Sequence, residues 1–225
     1  MQHYTPEYII QTLKPYLSEK RMERIESVLS KRIRSVHVAI ESPYDVHNGL
    51  AIVRTAEALG VSHMHFIQAE MKKGQGRATT RGTLKWTHLH SHETFSDFLE
   101  NRGGFHLAGA SVEGTMMLEE LPVDRPLCLL FGNEHRGLSE EAKKRCDFLF
   151  SIPLYGMVES YNLSVSAAIT LYDYLKRKRL ALKQDGDFSE EEYLAEKAHY
   201  YVRSLGGETA QALLSKAQSS FRSLI

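Results

Sequence analysis

Long apolar runs are absent from this sequence: nowhere in its 225 residues do 18 apolar side chains follow one another, so no membrane-spanning helix is expected. The opening Met1-Gln2-His3-Tyr4-Thr5-Pro6 lacks the basic and then apolar layout of a secretory signal, and a soluble cytoplasmic protein without a membrane partner is the expectation. Cysteine is scarce. Cys128, in an apolar run, and Cys146, at a helix end, form no CxxC pair and no ligand cluster, which points to buried reduced thiols. A GxxxxGK[ST] loop is missing, and its absence argues against a nucleotide-driven switch. Charge of one sign is not in excess either, since Lys plus Arg and Asp plus Glu both number 28, and overall charge identifies no partner. What is present, 42% hydrophobic and 25% charged residues in a chain of this length, is the make-up of one globular domain of ordinary size with smaller appendages.

The charges are unevenly spread. From Lys72 to Lys85 there are five basic residues, Lys72, Lys73, Arg77, Arg81 and Lys85, and no acid. The run Lys176-Arg177-Lys178-Arg179 is followed by Lys183, whereas Asp185 to Glu196 is acidic. A basic loop next to a site is an electrostatic footprint for a phosphate-rich partner. For Lys176 to Lys183, a solvated helix end where cations suit the dipole explains the run equally well. Periodicity then divides the chain. Thr5-Pro6-Glu7 starts a helical region over residues 5–30, with Ile25, Val28 and Leu29 as an apolar stripe. Strands are expected at 36–40, 63–67, 105–110, 127–131 and 148–152, and helices at 48–59, 94–100 and 139–144, with a long helix ending near Lys183. Strands alternating with helices imply an α/β fold with a mostly parallel sheet and helices on both faces. Beyond Gln184-Asp185-Gly186-Asp187, two helical segments, 189–204 and 208–221, flank Gly206-Gly207.

Three segments crowd polar groups against apolar elements. In His47-Asn48-Gly49-Leu50-Ala51-Ile52-Val53-Arg54-Thr55-Ala56, Asn48 suits a helix cap and Arg54 interrupts small and apolar neighbours. An unpaired buried guanidinium is costly, so Arg54 needs a partner. That partner is a structural carboxylate or, given how the Arg fork matches phosphate oxygens, a ligand phosphate. The second segment, Leu129-Leu130-Phe131-Gly132-Asn133-Glu134-His135-Arg136-Gly137-Leu138-Ser139, leaves an apolar strand at Gly132, where backbone can approach a bound group. The third, Ile152-Pro153-Leu154-Tyr155-Gly156-Met157-Val158-Glu159-Ser160-Tyr161-Asn162-Leu163-Ser164, joins a strand to the long helix, and Ser160 or Asn162 as a plain helix cap is the alternative to a site. Turns at the carboxyl ends of strands are where open α/β sheets collect ligands. Trp86, beside the basic loop, offers either a stacking surface or core packing. His88, His90 and His92 alternate as on a strand, so two can share one face, but no Cys or acidic ligand completes a set and no metal is expected.

In this order and at these spacings the three segments resemble the motifs of the SpoU/TrmH-type branch of the SPOUT RNA 2′-O-methyltransferases: N-x-x-A-I-x-R-T-A, G-N-E-x-x-G-L-S and I-P-x-x-G-x-x-E-S-x-N-x-S. The similarity runs from about Arg21 to Arg179. The missing G-x-G-x-x-G turn after the first strand agrees with it, because the ordinary Rossmann class of methyltransferase is thereby disfavoured. Within the branch, the short helical parts at both ends are most similar to the tRNA enzymes. The resemblance implies a SPOUT fold with a C-terminal trefoil knot, S-adenosylmethionine bound bent in that knot, and a homodimer whose sites use both chains. It divides the chain into an N-terminal helical extension (1–34), a knotted methyltransferase domain (35–183) and a C-terminal helical extension (184–225). Carried over by motif position, it implies a cofactor pocket at Ala110, Gly132, Ile152, Leu154, Tyr161 and Asn162, and a polar reaction site of Asn48, Arg54, Glu134, Ser160 and Asn162. Two positions depart from the pattern: Val46 stands where a Pro usually precedes His-Asn, and Tyr161 replaces a Leu. Neither change removes a functional group.

The activity implied is methyl transfer from S-adenosylmethionine to a ribose 2′-hydroxyl of tRNA, at the D-loop guanosine of tRNA position 18. Ribosomal RNA or another tRNA ribose is the alternative substrate. A non-catalytic knotted RNA-binding protein is the alternative class, and the intact polar set argues against it. Family accounts often make the first-motif Arg a general base. A guanidinium with a pKa above about 12 is a poor proton acceptor, so Arg54 is expected instead to clamp a phosphate and stabilise oxyanion character. Arg77, Arg81 and Lys85 are the expected RNA contacts.

Overall fold

The structure, a computed structural model, describes residues 4–69, 80 and 82–222. The chain forms two compact units, one of residues 33–185 and one built from the segments on either side. Among the described residues the helices are α1 (Pro6–Leu13), α2 (Glu19–Leu29), α3 (Val46–Ala58), α4 (Phe95–Asn101), α5 (Glu140–Arg145), α6 (Leu163–Leu182), α7 (Glu190–Leu205) and α8 (Gly207–Arg222). The strands are β1 (Val36–Glu41), β2 (His63–Ile67), β3 (His88–His92), β4 (His106–Ala110), β5 (Met116–Met117), β6 (Leu127–Phe131) and β7 (Phe148–Ser151).

All these strands pair in parallel, in the order β3-β2-β1-β6-β4-β7-β5. β1 and β6, at the centre, are buried along their whole length, the pattern of parallel strands covered on both faces. Alternate side chains feed two cores. On one face Val38, Ile40, Phe66, Leu129 and Phe131 pack with Ile52, Val53 and Ala56 of α3 and Ala167, Leu171 and Leu175 of α6. On the other, Ala39, Ile67 and Leu130 pack with Phe95 and Phe98 of α4 and Ala142 of α5. The chain runs β1-β2-β3 toward one edge, returns to the other side for β4 and β5, and then places β6 between β1 and β4. The carboxyl ends of β1, β6, β4 and β7 therefore stand side by side.

The helices expected over residues 5–30 are α1 and α2, parted where Pro15 follows α1 in a single 3-10 turn and the chain extends at Leu17 before Ser18 caps α2. Other expectations need correction. Asn48 is not a cap: Asp45 accepts from the His47 amide and α3 begins two residues before Asn48. The two-residue β5 carried no periodic signal. The basic run on α6 is solvated only at Lys176 and Lys183, since Arg177, Lys178 and Arg179 donate to main-chain carbonyls. Arg177 reaches Leu118 O (2.8 Å) and Leu121 O (2.9 Å), buried Lys178 reaches Val123 O (2.8 Å), and Arg179 reaches Leu59 O (2.7 Å). Those from Arg177 and Lys178 satisfy carbonyls of the β5–β6 connection, which has little regular structure of its own.

The α4 face of β1–β3 carries a ladder of histidines rather than aliphatic core. His63 and His88 are register neighbours, as are His65 and His90, and the stacked rings of His37–His63, His63–His88 and His65–His90 lie 4.5–4.8 Å apart between centroids. On the diagonals, His37 Nδ1 meets His65 Nε2 (3.1 Å), His63 Nδ1 meets His90 Nε2 (3.2 Å) and His65 Nδ1 meets His92 Nε2 (3.0 Å). One diagonal runs from the Arg34 guanidinium, on His37 Nε2, to the Asp97 carboxylate, 3.4 Å from His92 Nδ1. A guanidinium only donates and a carboxylate only accepts, so in the neutral chain each ring carries its proton on Nδ1. Burial first, then the neighbouring imidazoles and Arg34, hold His63 down at about 2 and His65 at about 3, and push His37 and His90 below the usual imidazole range.

In the smaller unit, α1 packs against α7 and α8, burying Ile9, Leu13, Tyr201 and Leu214. Buried Arg32 donates to Tyr200 Oη (2.8 Å), and Ser189 with Glu192 forms a capping box at the start of α7. No helix among the described residues is long and apolar enough to cross a membrane.

Candidate active site

Glu134, in the loop after β6, is the hub of the loops at the carboxyl ends of the central strands. Its carboxylate accepts from the Tyr44 amide (2.6 Å), the Asp45 amide (3.3 Å) and Asn48 Nδ2 (2.8 Å), tying the β6 loop to the first turn of α3. Partial burial pushes its pKa up, but the bonds from Asn48, Tyr44 and Asp45 together outweigh that, and the carboxyl sits below its ordinary value. Glu134 is thus a charged anchor at neutral pH. Asn162 caps α6 by accepting from the Ser164 amide (2.9 Å), while its Nδ2 faces Asn48 Oδ1 at 3.5 Å. The capping and site readings of Asn162 are therefore compatible, since its oxygen and its nitrogen have separate partners.

The β6 loop is held by its own residues too. Asn133 exchanges main-chain bonds with Gly137, accepts from the His135 amide (2.9 Å), and donates to Ser42 O (2.7 Å) after β1. Gly132 lies so tightly on Gly137 that a Cβ there would come within 2.2 Å of a main-chain carbon. Glu41, at the buried end of β1, accepts from Ser139 N (2.9 Å) and Oγ (2.6 Å), fixing the start of α5. Sequence reading passed over Glu41; a lone acid ending an apolar strand was the available signal.

A cavity of about 570 Å³ opens at the ends of β6, β4 and β7, within the range of small-molecule sites. Ala110, Gly132, Ile152, Leu154 and Tyr161 line it, as do Glu134 and Ser160. Tyr161 donates to Pro153 O (3.1 Å), so the residue standing where the motif has Leu closes its own loop. Asn48 and Asn162 adjoin this wall through Glu134 rather than lining it.

Arg54 lies elsewhere. It is exposed, not buried, and with Ala51, Thr55, Ala168 and Tyr172 it lines a separate depression between α3 and α6. The reason is helical phase: α3 buries Gly49, Leu50, Ile52, Val53 and Ala56, and residue 54 falls well away from that stripe. Of the expected RNA contacts, Arg77 and Arg81 lie outside the described residues, while Lys85 is exposed with its ammonium 5.1 Å from the half-buried Trp86 ring. The Cys128 and Cys146 thiols are free; burial pushes both up, Cys146 to about 12.

The chain is similar in sequence and fold to known proteins. A protein of Thermus thermophilus named tRNA (guanosine(18)-2′-O)-methyltransferase is 36% identical over 166 residues, covering 72% of this chain and 85% of its own length. The crystal structure of an A. aeolicus TrmH/SpoU tRNA modifying enzyme superposes with a TM-score of 0.73 at 30% identity, over 84% of this chain and 98% of that one. An AdoMet-bound rRNA methyltransferase from Sinorhizobium meliloti gives 0.58 at 25% identity, over 65% and 58% of the two chains. The family model described as SpoU rRNA Methylase matches residues 35–172, the stretch that holds every loop of the cavity, and the chain belongs to that family.

Proposed function

We propose that the loops after β1, β6, β4 and β7 hold S-adenosylmethionine in the cavity and align it with the ribose of a tRNA, and that a second copy of the chain completes the reaction site. The protein is an S-adenosylmethionine-dependent RNA 2′-O-methyltransferase, acting on the guanosine of the tRNA D-loop that the Thermus relative is named for, position 18. The observation that carries this is the Glu134 hub: a charged carboxylate spent on joining two motif loops at the mouth of a ligand-sized cavity.

The residues present fit the cofactor. The cavity has the right size and apolar walls from Ile152 and Leu154. Ala110, Gly132, Ile152, Leu154 and Tyr161, which line the cavity, would hold it, with Asn162 adjoining that wall. When bound, it supplies an already activated methyl on a sulfonium. The chain's own work is alignment, which in well-oriented reactions accounts for roughly 7–11 kcal/mol of a barrier. Glu134 and Asn48 orient the first turn of α3, Ser160 and Asn162 hydrogen-bond the ribose, and Arg54 clamps a phosphate and steadies negative charge on the attacking 2′-oxygen as its proton passes to water.

Two observations support a homodimer. Arg54 lines a depression separate from its own chain's cavity, and the large apolar side chains of Tyr155, Met157, Val158 and Tyr172 are exposed. A trefoil knot is in keeping with β6 and β7 lying inside strands that precede them, and with Gly114, where a Cβ would sit 2.2 Å from the Phe150 carbonyl carbon. We assign residues 35–183 to the methyltransferase domain, with helical extensions 1–34 and 184–225, Arg77, Arg81 and Lys85 to RNA contact, and the cytoplasm as its place of action.

The test is direct. Purified protein, labelled S-adenosylmethionine and tRNA transcripts should yield label in one D-loop ribose, and a transcript already 2′-O-methylated at that guanosine should accept none. Label in ribosomal RNA alone would overturn the substrate.

A further inference from the structure

We infer that Tyr44, braced by His135, is a stacking platform for a nucleobase next to the ribose being methylated; this rests on the reaction described above. Tyr44 is 75% exposed, so its ring is open to a partner. It is nonetheless rigidly placed. Its main-chain amide is held by Glu134 at 2.6 Å, the shortest of the bonds to that carboxylate, and the following residue, Asp45, caps α3. The His135 ring meets it edge-on, with centroids 4.7 Å apart and planes at 77°, and the His135 amide is itself held by Asn133 at 2.9 Å. Thus both rings stand on loops locked by hydrogen bonds, and His135 lines the cavity.

The surroundings are those a single-stranded nucleotide would meet. Arg136, next to His135, and His47 are exposed, while of the nearby acids Glu134 has its charge taken up by three N–H donors and Asp45 accepts from the His47 amide. Sequence-selective RNA recognition works on unstacked bases laid against aromatic rings, with cationic side chains on the backbone. A ribose presented to the cavity places its own base, or an adjacent one, at this rim. Exposed Tyr155, by contrast, lies in sequence with Met157 and Val158 in the apolar stretch assigned above to the partner copy. His135 and Arg136 fill the two positions that G-N-E-x-x-G-L-S leaves open, and Tyr44 lies before the first motif. The motifs fix where these groups stand without dictating what they are, which suits a device for choosing substrates.

Steady-state methylation of a tRNA transcript by Tyr44→Ala, Tyr44→Phe and wild type tests this, alongside S-adenosylmethionine affinity by calorimetry and mass by analytical ultracentrifugation. A stacked base contributes about 1–3 kcal/mol, so Tyr44→Ala should raise KM for tRNA about tenfold, about 1.4 kcal/mol, with kcat within about twofold and cofactor affinity unchanged. Tyr44→Phe should behave as wild type. Unchanged KM in Tyr44→Ala, or loss in Tyr44→Phe equal to that in Tyr44→Ala, would overturn the platform. So would a Tyr44→Ala protein that sediments as a smaller species, since the ring would then belong to self-association. A wild-type protein that methylates no tRNA would instead bring down the reaction itself and the platform with it.

Discussion

The Glu134 hub and the histidine ladder are both hydrogen-bonded polar clusters on one sheet, yet they close in opposite ways. The hub ends on main-chain amides of loops, and its central group is a carboxylate whose charged form those amides favour. The ladder closes side chain to side chain across β1, β2 and β3, and works only while its rings are neutral. A proton on His65 would put N–H against N–H toward His37. One cluster is built to keep a charge, the other to refuse one, and acid separates them.

The largest effect expected follows from this. His37, His63, His65 and His90 have folded pKa values below the ordinary value of about 6.5, so the unfolded chain takes up protons first; their contribution is complete above that value and lost as pH falls below it. Each such group costs up to about 1.4 kcal/mol per pH unit. Urea unfolding should therefore show a loss of several kcal/mol between about pH 6.5 and about pH 4.5. A His63→Phe, His65→Phe double variant should have a visibly flatter slope; an identical slope would remove the ladder from the account. Glu134 loses its contribution in the same direction but at lower pH, its depressed pKa giving stability that is present above the ordinary carboxylate value of about 4.3 and is lost as pH falls through the folded pKa. Over the ladder's window the hub should stay intact.

Breaking the hub by mutation is the next largest effect. Glu134→Ala strands two main-chain amides and Asn48 Nδ2, and kcat/KM for tRNA should fall about a hundredfold, near ~2.7 kcal/mol. Glu134→Gln, which keeps one acceptor oxygen, should fall in between, and near-normal turnover in both variants would leave Glu134 without a positioning role. Smaller still is Gly132→Ala, whose methyl must displace the Gly137 main chain: about 1–3 kcal/mol of stability, with cofactor affinity lowered in calorimetry and the acid slope of the ladder untouched.

Much of this was legible in the sequence because it is local. Strands β1 and β6, the start of α5 and the motif order need only short windows. The ladder was half visible: alternation on β3 placed histidines on one face, but His37, His63 and His65 join them only through register, which a single sequence does not state. Arg54 was misread as buried because its neighbours in sequence are apolar, whereas its neighbours in space follow helical phase. The α6 basic run misled for a similar reason, its partners being carbonyls more than 50 residues away in the chain.

The doubly engaged Asn162 has one more implication. A free carboxamide can turn over and exchange its ends, but here the cap claims the oxygen, so the group can offer only N–H toward Asn48. Asn162→Asp would keep α6 properly begun and turn the outward donor into a second acceptor, opposing the Asn48 oxygen. Helix integrity and the polarity of this corner are thereby written into a single side chain, and circular dichroism set beside turnover would separate the two.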